Sequence, residues 1–311
     1  MKKKDPTLAD RLHVADKWIE KGLSVVFVLR IVKVAKSTYY NHISFNKKER
    51  KYANVGRKTP GFSYTFDGKK VNDLEIQNLI IDIKTSKTSK LYGYRKVTVL
   101  LRRNYNIQIN KKKVYRLMSL LNLLGDSTKY RKPRVSRTCE SVKVTRSNQL
   151  WQMDIKYCFI AGTRKTAYIT SIIDVFDRSI VSQSIDLSAT GDVAKSVLLK
   201  GLYYRDLKDS PNGLIIRTDN GSQFISGVFE KACLKEDVIH ERIPVRSPNY
   251  NAYIESFHRY LQDECLTGKI YMTLEDVRND VEDYVYRYNH ERIHSSIGYY
   301  SPHDYYIKNI C

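Results

Sequence analysis

From residue 149 onward, apolar and polar residues alternate as they do along β-strands. The segment LWQMDIKYCFI has a period of two, which predicts a strand with two distinct faces. One face carries Trp151, Met153, Ile155, Tyr157 and Phe159, and the other carries Gln152, Asp154, Lys156 and Cys158. Two more strand-like segments, TAYITSIIDVF and IVSQSI, follow the turns AGTRK and DRS. Three strands joined by short turns predict an antiparallel meander.

Beyond the meander, helical and strand-like segments alternate. A helix is predicted from about residue 192 to 204, followed by the apolar strand GLIIRT and a second helix from about 223 to 236. A short strand near 239–243 precedes an amphipathic helix that begins near Pro248. Hairpin strands followed by alternating helices and strands indicate an α/β fold, with a mixed five-stranded sheet flanked by helices on both faces.

The first half of the chain follows a helical period instead. In residues 7–45, Leu8, Leu12, Ala15 and Ile19 share a face, and two further short helices follow, with Ser37 as a predicted N-cap. In residues 72–125, the segments LEIQNLIIDIK, YGYRKVTVLLRRNY and KKKVYRLMSLLNLLG predict three helices joined by short turns. Both regions are typical of all-α helix-turn-helix modules.

Two basic segments with few large apolar residues, 51–71 and 126–148, read as linkers. We therefore expect an N-terminal helix-turn-helix in 1–50 and a second one in 72–125. A mixed α/β core in 149–268 and a C-terminal helical extension in 269–311 complete the predicted organisation.

The formal charge of +21 is concentrated in the first half. Residues 1–150 hold 35 basic and 11 acidic residues, a net +24, whereas residues 151–311 have a net −3. This segregation favours nucleic acid as the partner over a merely lysine-rich surface. A membrane surface would need a helix with lysines confined to one face, and no such pattern is present. The candidate phosphate contacts lie on the third helix of the second module and in the following linker: Lys111, Lys112, Lys113, Arg116, Arg131, Lys132 and Arg134.

The five cysteines are scattered and never spaced C-x-x-C, which argues for a reducing compartment and against a zinc finger. The basic start of the chain leads into polar residues and not into an apolar signal segment. We expect a cytoplasmic, nucleoid-associated protein.

Three carboxylates occupy positions where chemistry is plausible. Asp154 lies on the polar face of a strand, Asp219 ends an apolar strand, and Glu255 lies beside the buried stripe of the helix that follows the last strand. Converging carboxylates repel one another unless a cation lies between them, and oxygen ligands suit Mg²⁺. Each residue alone also has a structural explanation: a solvated strand face, a turn at Asp219, and an i,i+4 surface pair of Glu255 with Arg259.

Two other sequence patterns could indicate a metal or catalytic site. HERIH, residues 290–294, matches the H-E-x-x-H zinc-protease motif. It lies near the predicted end of a helix, so we do not expect a zinc site. Asp174 and Asp177, in DVFDRS, are expected to be structural residues of a strand end and turn.

The blocks WQMD, RTDNGSQF and SPNYNAYIESF resemble the catalytic blocks of DDE transposases and retroviral integrases. Asp219 and Glu255 are separated by 35 residues, the spacing of the D,D-35-E group. The tail YNHERIHSSIGYYSPHDYY and the segments YGYRKVTVLLRRNYNIQINKKKVYRLMSLLNLLG and KSTYY are similar to insertion-sequence transposases of the IS-three family.

The resemblance implies an RNase H-like catalytic core with two Mg²⁺ ions (Mn²⁺ being possible), held by Asp154, Asp219 and Glu255, and no organic cofactor. It implies cleavage of phosphodiester bonds and strand transfer at terminal inverted repeats by a homodimer or higher multimer on double-stranded DNA. Asn220 and Gln223 would shape the site and contact DNA. The family's basic residue seven positions after the glutamate is Gln262 here, so either Arg259 replaces it or the DNA contact at this position is weaker. An RNase H-like nuclease without strand transfer and a non-catalytic DNA-binding regulator remain alternatives.

Overall fold

The computed structural model describes residues 6–47, 60–125, 143–208, 210–244 and 248–310, which form two compact units, Met1–Pro60 and Gly61–Cys311. The first unit contains three helices, α1 (Leu8–Glu20), α2 (Val25–Ile31) and α3 (Lys36–Lys47). Thr7 and Asp10 form a capping box at the start of α1. Because α3 already begins at Lys36, Ser37 lies inside the helix, and its prediction as an N-cap is wrong.

The second unit opens with a hairpin that the sequence did not predict. Part of the predicted linker 51–71 forms β1 (Phe62–Thr65), which pairs with β2 (Lys70–Asn72). The segment predicted as a turn after α5 contributes β3 (Ile107–Gln108), which also pairs with β1. These strands have two to four residues each, too few for an alternation to stand out.

The three predicted helices of the second module are α4 (Asp73–Thr85), α5 (Tyr94–Asn104) and α6 (Lys111–Leu120). Asn110 caps α6, its side chain accepting a hydrogen bond from the backbone of Lys112. Their shared core contains Ile76, Val97 and Leu117, and it also takes in Ile293 from far along the chain.

A five-stranded mixed sheet forms the centre of the unit. Its strands are β4 (Leu150–Ile160), β5 (Lys165–Asp174), β6 (Ile180–Asp186), β7 (Ile215–Thr218) and β8 (Ile239–Arg242). The order is β6-β5-β4-β7-β8; the first three strands pair antiparallel, and β7 runs parallel to both β4 and β8. The predicted meander and the mixed sheet are confirmed.

Helices cover both faces of this sheet. The first pair consists of α7 (Gly191–Tyr204) and α8 (Gly227–Lys235), and the second consists of α9 (Ala252–Leu261) and α10 (Leu274–His290). Trp151, Met153 and Ile155 pack into the core with α7 and α8, whereas Cys158 and Ile160 pack with α9 and α10.

The far end of β4 departs from the predicted faces. Tyr157 and Phe159 are exposed, and Cys158, predicted on the polar face, is buried. The reason is that α7 and α8 cover only the first part of the strand, while α9 and α10 cover the opposite face further along.

After α10, residues 291–301 run against the α4–α6 module before α11 (Pro302–Ile310). The hydroxyl of Tyr92 accepts a hydrogen bond from the backbone of Ile293 at 3.0 Å, and Arg103 donates to the carbonyl of Gly298 at 3.0 Å. Within the described residues, no helix combines the length and apolar character needed to cross a bilayer.

Candidate active site

Three elements bring the predicted carboxylates to one side of the sheet. Gln152 of β4 is the register partner of Arg217 in the parallel strand β7. Asp154 and Asp219 each follow these partners by two residues, so Asp154, in the middle of β4, lies beside Asp219, which comes directly after β7. Glu255 is in the first turn of α9, which packs on the face of β4 that carries Asp154.

The charge of Asp154 acts on both of the other carboxylates. Burial raises the pKa of Asp219, the Asp154 carboxylate raises it further, and a 2.9 Å hydrogen bond from the Gly221 amide works in the opposite direction. Burial likewise raises the pKa of Glu255, and the charge of Asp154 is the second cause there. Because like charges placed together repel one another, a cation would find a favourable site among these carboxylates.

The alternative in which Glu255 belongs to a surface ion pair is not supported. No Glu255–Arg259 ion pair is present, although both residues lie within the described part of the chain. Glu255 instead faces the cleft beside Asp154.

Gln152 fixes the start of α9 against β4. Its Oε1 accepts hydrogen bonds from the backbone amides of Tyr253 and Ile254, both at 3.1 Å, and its Nε2 donates to the carbonyl of Tyr250 at 2.6 Å. The first amides of a helix lack partners within the helix. Since Asn251 makes no side-chain cap, the strand residue supplies the cap that α9 lacks.

Arg217 links the backbone just before α9 to β7. Its Nη1 donates to the carbonyl of Tyr250 at 3.2 Å, while its Nε and Nη2 bind Glu241 at 3.0 and 2.9 Å. Gln152 and Arg217 therefore both bind the Tyr250 carbonyl. This links α9, which carries Glu255, to β4, which carries Asp154, and to β7, which Asp219 follows.

A cleft of about 430 Å³ opens beside Asp154 and Glu255. Its other lining residues are Ile155, Lys156, His258, Arg259, Gln262 and Asp263. His258 is buried, and its Nδ1 lies 3.4 Å from Oδ2 of Asp154. His258 was not predicted from the sequence as a site residue, because a histidine on the apolar stripe of a helix is ordinarily a core residue.

The loop after β7 is shaped by close contacts. A Cβ at Gly221 would lie 3.0 Å from Oδ1 of Asp219, and the side-chain amide of Gln223 would have to move away to admit it. Asn220 donates its side-chain amide to the carbonyl of Ile243 at 2.9 Å, which ties the loop to the end of β8. Asn220 thus has a structural partner, and its predicted DNA contact stays a prediction together with that of Gln223.

Comparison with known proteins places this geometry in a family. Residues 144–248 and 236–302 match two models described as integrase core domain, and residues 72–134 match an HTH-like domain. The transposase of insertion sequence IS904 from Lactococcus lactis is 28% identical over 69% of this chain and 87% of its own length. Transposase InsF of IS3A from Escherichia coli is 30% identical over 52% of this chain and 55% of its own length.

The chain contains an integrase core and an HTH-like domain, and it is similar to transposases of insertion sequences. The mixed five-stranded sheet of this integrase core is RNase H-like, as predicted. Among solved structures, the HTLV-2 integrase catalytic core in complex with magnesium (trimeric form) aligns with 18% identity and a TM-score of 0.38. That alignment covers 52% of this chain and 97% of the integrase chain.

The donor set of this site is chemically suited to a hard divalent cation. Asp154, Asp219 and Glu255 are all carboxylates and are incompletely buried, and the pKa values of Asp219 and Glu255 are raised by burial first and by the charge of Asp154 in addition. Within the described residues, no three His, Cys, Asp or Glu side chains are already arranged as a metal-ligand cluster.

The predicted DNA contacts on α6, in the linker and on α9 fall into four groups. Lys111 and Lys112 are exposed on α6. Lys113 and Arg116 instead bind Asp73, at 2.5 and 2.8 Å, so these two side chains help to hold α6 against α4. The predicted contacts in the linker, Arg131, Lys132 and Arg134, lie outside the described residues. Arg259 is exposed on the wall of the cleft.

Neither competing pattern forms a site. His290 ends α10 and His294 lies beyond it, so the helical spacing of a zinc-protease motif is lost. Glu291 accepts a hydrogen bond from Thr88 at 2.5 Å. Asp177, in DVFDRS, is buried against Arg205 at 3.1 Å. Its neighbour Asp174 is also buried, and accepts hydrogen bonds from the amide of Asn148 at 2.6 Å and from Trp151 Nε1 at 3.1 Å.

Proposed function

We propose that the chain is a metal-dependent DDE transposase that cleaves phosphodiester bonds at the terminal inverted repeats of a mobile element and joins the freed strand to target DNA. One observation carries the proposal: three carboxylates from β4, the end of β7 and α9 share one electrostatic site in a chain with an integrase core. Asp154, Asp219 and Glu255 are the proposed catalytic residues and metal ligands.

Two Mg²⁺ ions, or Mn²⁺ in their place, would activate the attacking oxygen and stabilise the leaving oxygen when bound. The chain's own residues orient the reactants. Gln152 and Arg217 hold the start of α9, and this sets Glu255 against Asp154. Lys156 and Arg259 on the cleft wall are placed to hold a DNA phosphate beside the carboxylates.

The proposed partner is double-stranded DNA, both the element's ends and the target. Lys111 and Lys112 on α6 would bind the ends, and Asn220 and Gln223 would contact DNA near the site. Joining two ends calls for a homodimer or higher multimer on the DNA. Cytoplasmic, nucleoid-associated localisation belongs to the same proposal.

The test incubates the chain with Mg²⁺ and duplex DNA cut from the ends of the element that encodes it, and scores cleaved and joined strands separately. D154N, D219N and E255Q should each abolish both products, and chelation of the metal should do the same. D263N is the matched control, since Asp263 lines the same cleft but is not a proposed ligand. Full strand transfer by D154N would refute the assignment.

The same assay separates the alternatives. Cleaved DNA without joined strands would identify a nuclease that does not transfer strands. DNA binding that is independent of metal and produces no cleavage would identify a non-catalytic regulator.

A further inference from the structure

The β1–β2 hairpin is attached directly to the first turn of α6. The ammonium of Lys113 contacts the carbonyl oxygen of Phe62 and the carboxylate of Asp73, both at 2.5 Å. Arg116 makes a second ion pair with Asp73. In addition β3, which runs almost directly into α6, pairs with β1. Hairpin and helix therefore form one rigid platform.

The hairpin ends in an exposed tip with an aromatic residue. A turn closes it between Thr65 and Lys69, with a 2.8 Å backbone hydrogen bond, and Gly68 has a φ of 82° that favours glycine. Phe66, at the tip, is 60% exposed, and Tyr64 on β1 is 49% exposed.

The platform carries positive charge that no carboxylate among the described residues neutralises. Lys69 and Lys70 on the hairpin and Lys111 and Lys112 on α6 are exposed. Across the described ranges, none of the four has a carboxylate partner, and the ammonium of Lys70 lies over the ring of Phe62 at 4.2 Å.

The two acidic residues closest to these lysines along the hairpin are themselves engaged. Asp67 accepts a hydrogen bond from the side-chain amide of Asn106, and Asp73 is held by the two basic residues of α6. A concentration of uncompensated lysines on a rigid, partly aromatic surface fits a polyanion, and the proposed function supplies duplex DNA.

We propose that the β1–β2 hairpin is a second DNA-contacting element beside α6, with Lys69 and Lys70 on backbone phosphates and Phe66 against the groove that adjoins the one occupied by α6. This inference rests on the proposed DNA-binding function and extends it. The matched HTH-like domain begins at residue 72, so it leaves out the hairpin tip and nearly all of both strands. β-Ribbons are established readers of DNA grooves, and phosphate contacts fix the register of a reading helix.

The experiment measures binding of the full chain to a fluorescein-labelled DNA duplex by anisotropy over a series of salt concentrations. The slope of log K against log salt is negative, and each lost phosphate contact reduces its magnitude by about 0.9. K69Q/K70Q should therefore reduce the magnitude of the slope by about 1.8. F66S should weaken binding at every salt concentration and leave the slope unchanged, because an apolar contact releases no counterions.

Two further variants are needed for interpretation. K231Q/K235Q removes two exposed lysines from α8, on the sheet face opposite α9, and should leave the slope at the wild-type value. K111Q/K112Q tests α6 itself. Thermal unfolding of every variant verifies that these surface changes leave the fold intact.

The possible results distinguish a failure of the hairpin proposal from a failure of the proposed DNA-binding function. If K111Q/K112Q reduces the magnitude of the slope and K69Q/K70Q does not, the hairpin proposal is overturned while DNA binding by α6 stands. If the wild type binds no DNA at all, the proposed function itself fails. If F66S changes only the oligomeric state of the DNA-free chain, the tip is covered by a second copy and the proposal is wrong.

Discussion

Loss of the Gln152 side-chain amide should displace α9 and Glu255 while the sheet stays folded. The side chain is 1% exposed and makes three hydrogen bonds, one of 2.6 Å and two of 3.1 Å, all to the backbone around the start of α9. Methionine has nearly the same length and volume but cannot form any of them. Q152M therefore removes the polar contacts without opening a large cavity.

The magnitude follows from those contacts. A buried hydrogen bond contributes about 0.5–1.5 kcal/mol net, so the loss of three predicts a destabilisation of about 2–4 kcal/mol. For a unit of this size, that corresponds to a fall in Tm of roughly 5–15 °C. The effect on the reaction should be larger, because a misplacement of about 1 Å at a reacting centre costs on the order of 100-fold in rate.

The assay compares the rate of strand transfer at saturating Mg²⁺, well below the Tm of the variant, with the Kd for DNA. We expect a rate lower by about 10- to 100-fold with an unchanged Kd, since Gln152 does not reach the α6 platform. Q149M is the matched control: Gln149 accepts a 2.9 Å hydrogen bond from the amide of Thr145 and does not touch α9. A Q152M protein with lowered Tm but wild-type transfer rate would refute the reasoning, because the cap would then stabilise α9 without positioning Glu255.

Three further predictions concern the site and the fold. Mg²⁺ at 100 times its Kd should raise the unfolding free energy by about 2.7 kcal/mol, seen as a higher Tm, and D154N should remove this response; an equal shift in D154N would place the metal elsewhere. Burial and the charge of Arg292 lower the pKa of Lys96 from 10.5 to about 7, so the native protein binds fewer protons than the unfolded chain between these values. Stability should therefore rise with pH across that window and K96M should flatten the rise; parallel wild-type and K96M profiles of Tm against pH would contradict this. R292L leaves the buried carboxylate of Glu264, now bound at 2.7 Å, without its partner and should cost about 3–5 kcal/mol in denaturant unfolding, much of it recovered by adding E264L; a cost below 1 kcal/mol would show that the pair is solvated.

The long strands and helices could be predicted because each has enough residues to display its period. Apolar and polar residues alternate along β4 from Trp151 to Tyr157, and α9 shows its apolar stripe at Ile254, Phe257 and Leu261. These patterns made the three carboxylates candidates, but each alone also had a structural explanation, and only their occurrence together in this order distinguished them. Their assignment as metal ligands remains a prediction.

What the sequence could not supply were contacts between distant residues. The hydrogen bonds by which Gln152 caps α9 join positions about 100 residues apart, and the sequence around either position does not indicate its partner. Lys113 was grouped with its neighbours as a phosphate contact, yet its partner is Asp73, 40 residues earlier. The strands β1 to β3 were missed because pairing among short segments, and not local alternation, stabilises them.

The placement of Ile293 has a consequence for how partial products of this gene behave. Its side chain completes the core of α4–α6, and its backbone binds Tyr92, 201 positions earlier. A translation product that stopped before Arg292 would lack both contacts and would expose apolar surface in the very module proposed to hold DNA. Under the proposed function, such truncated copies would bind the element's ends less well than intact molecules do.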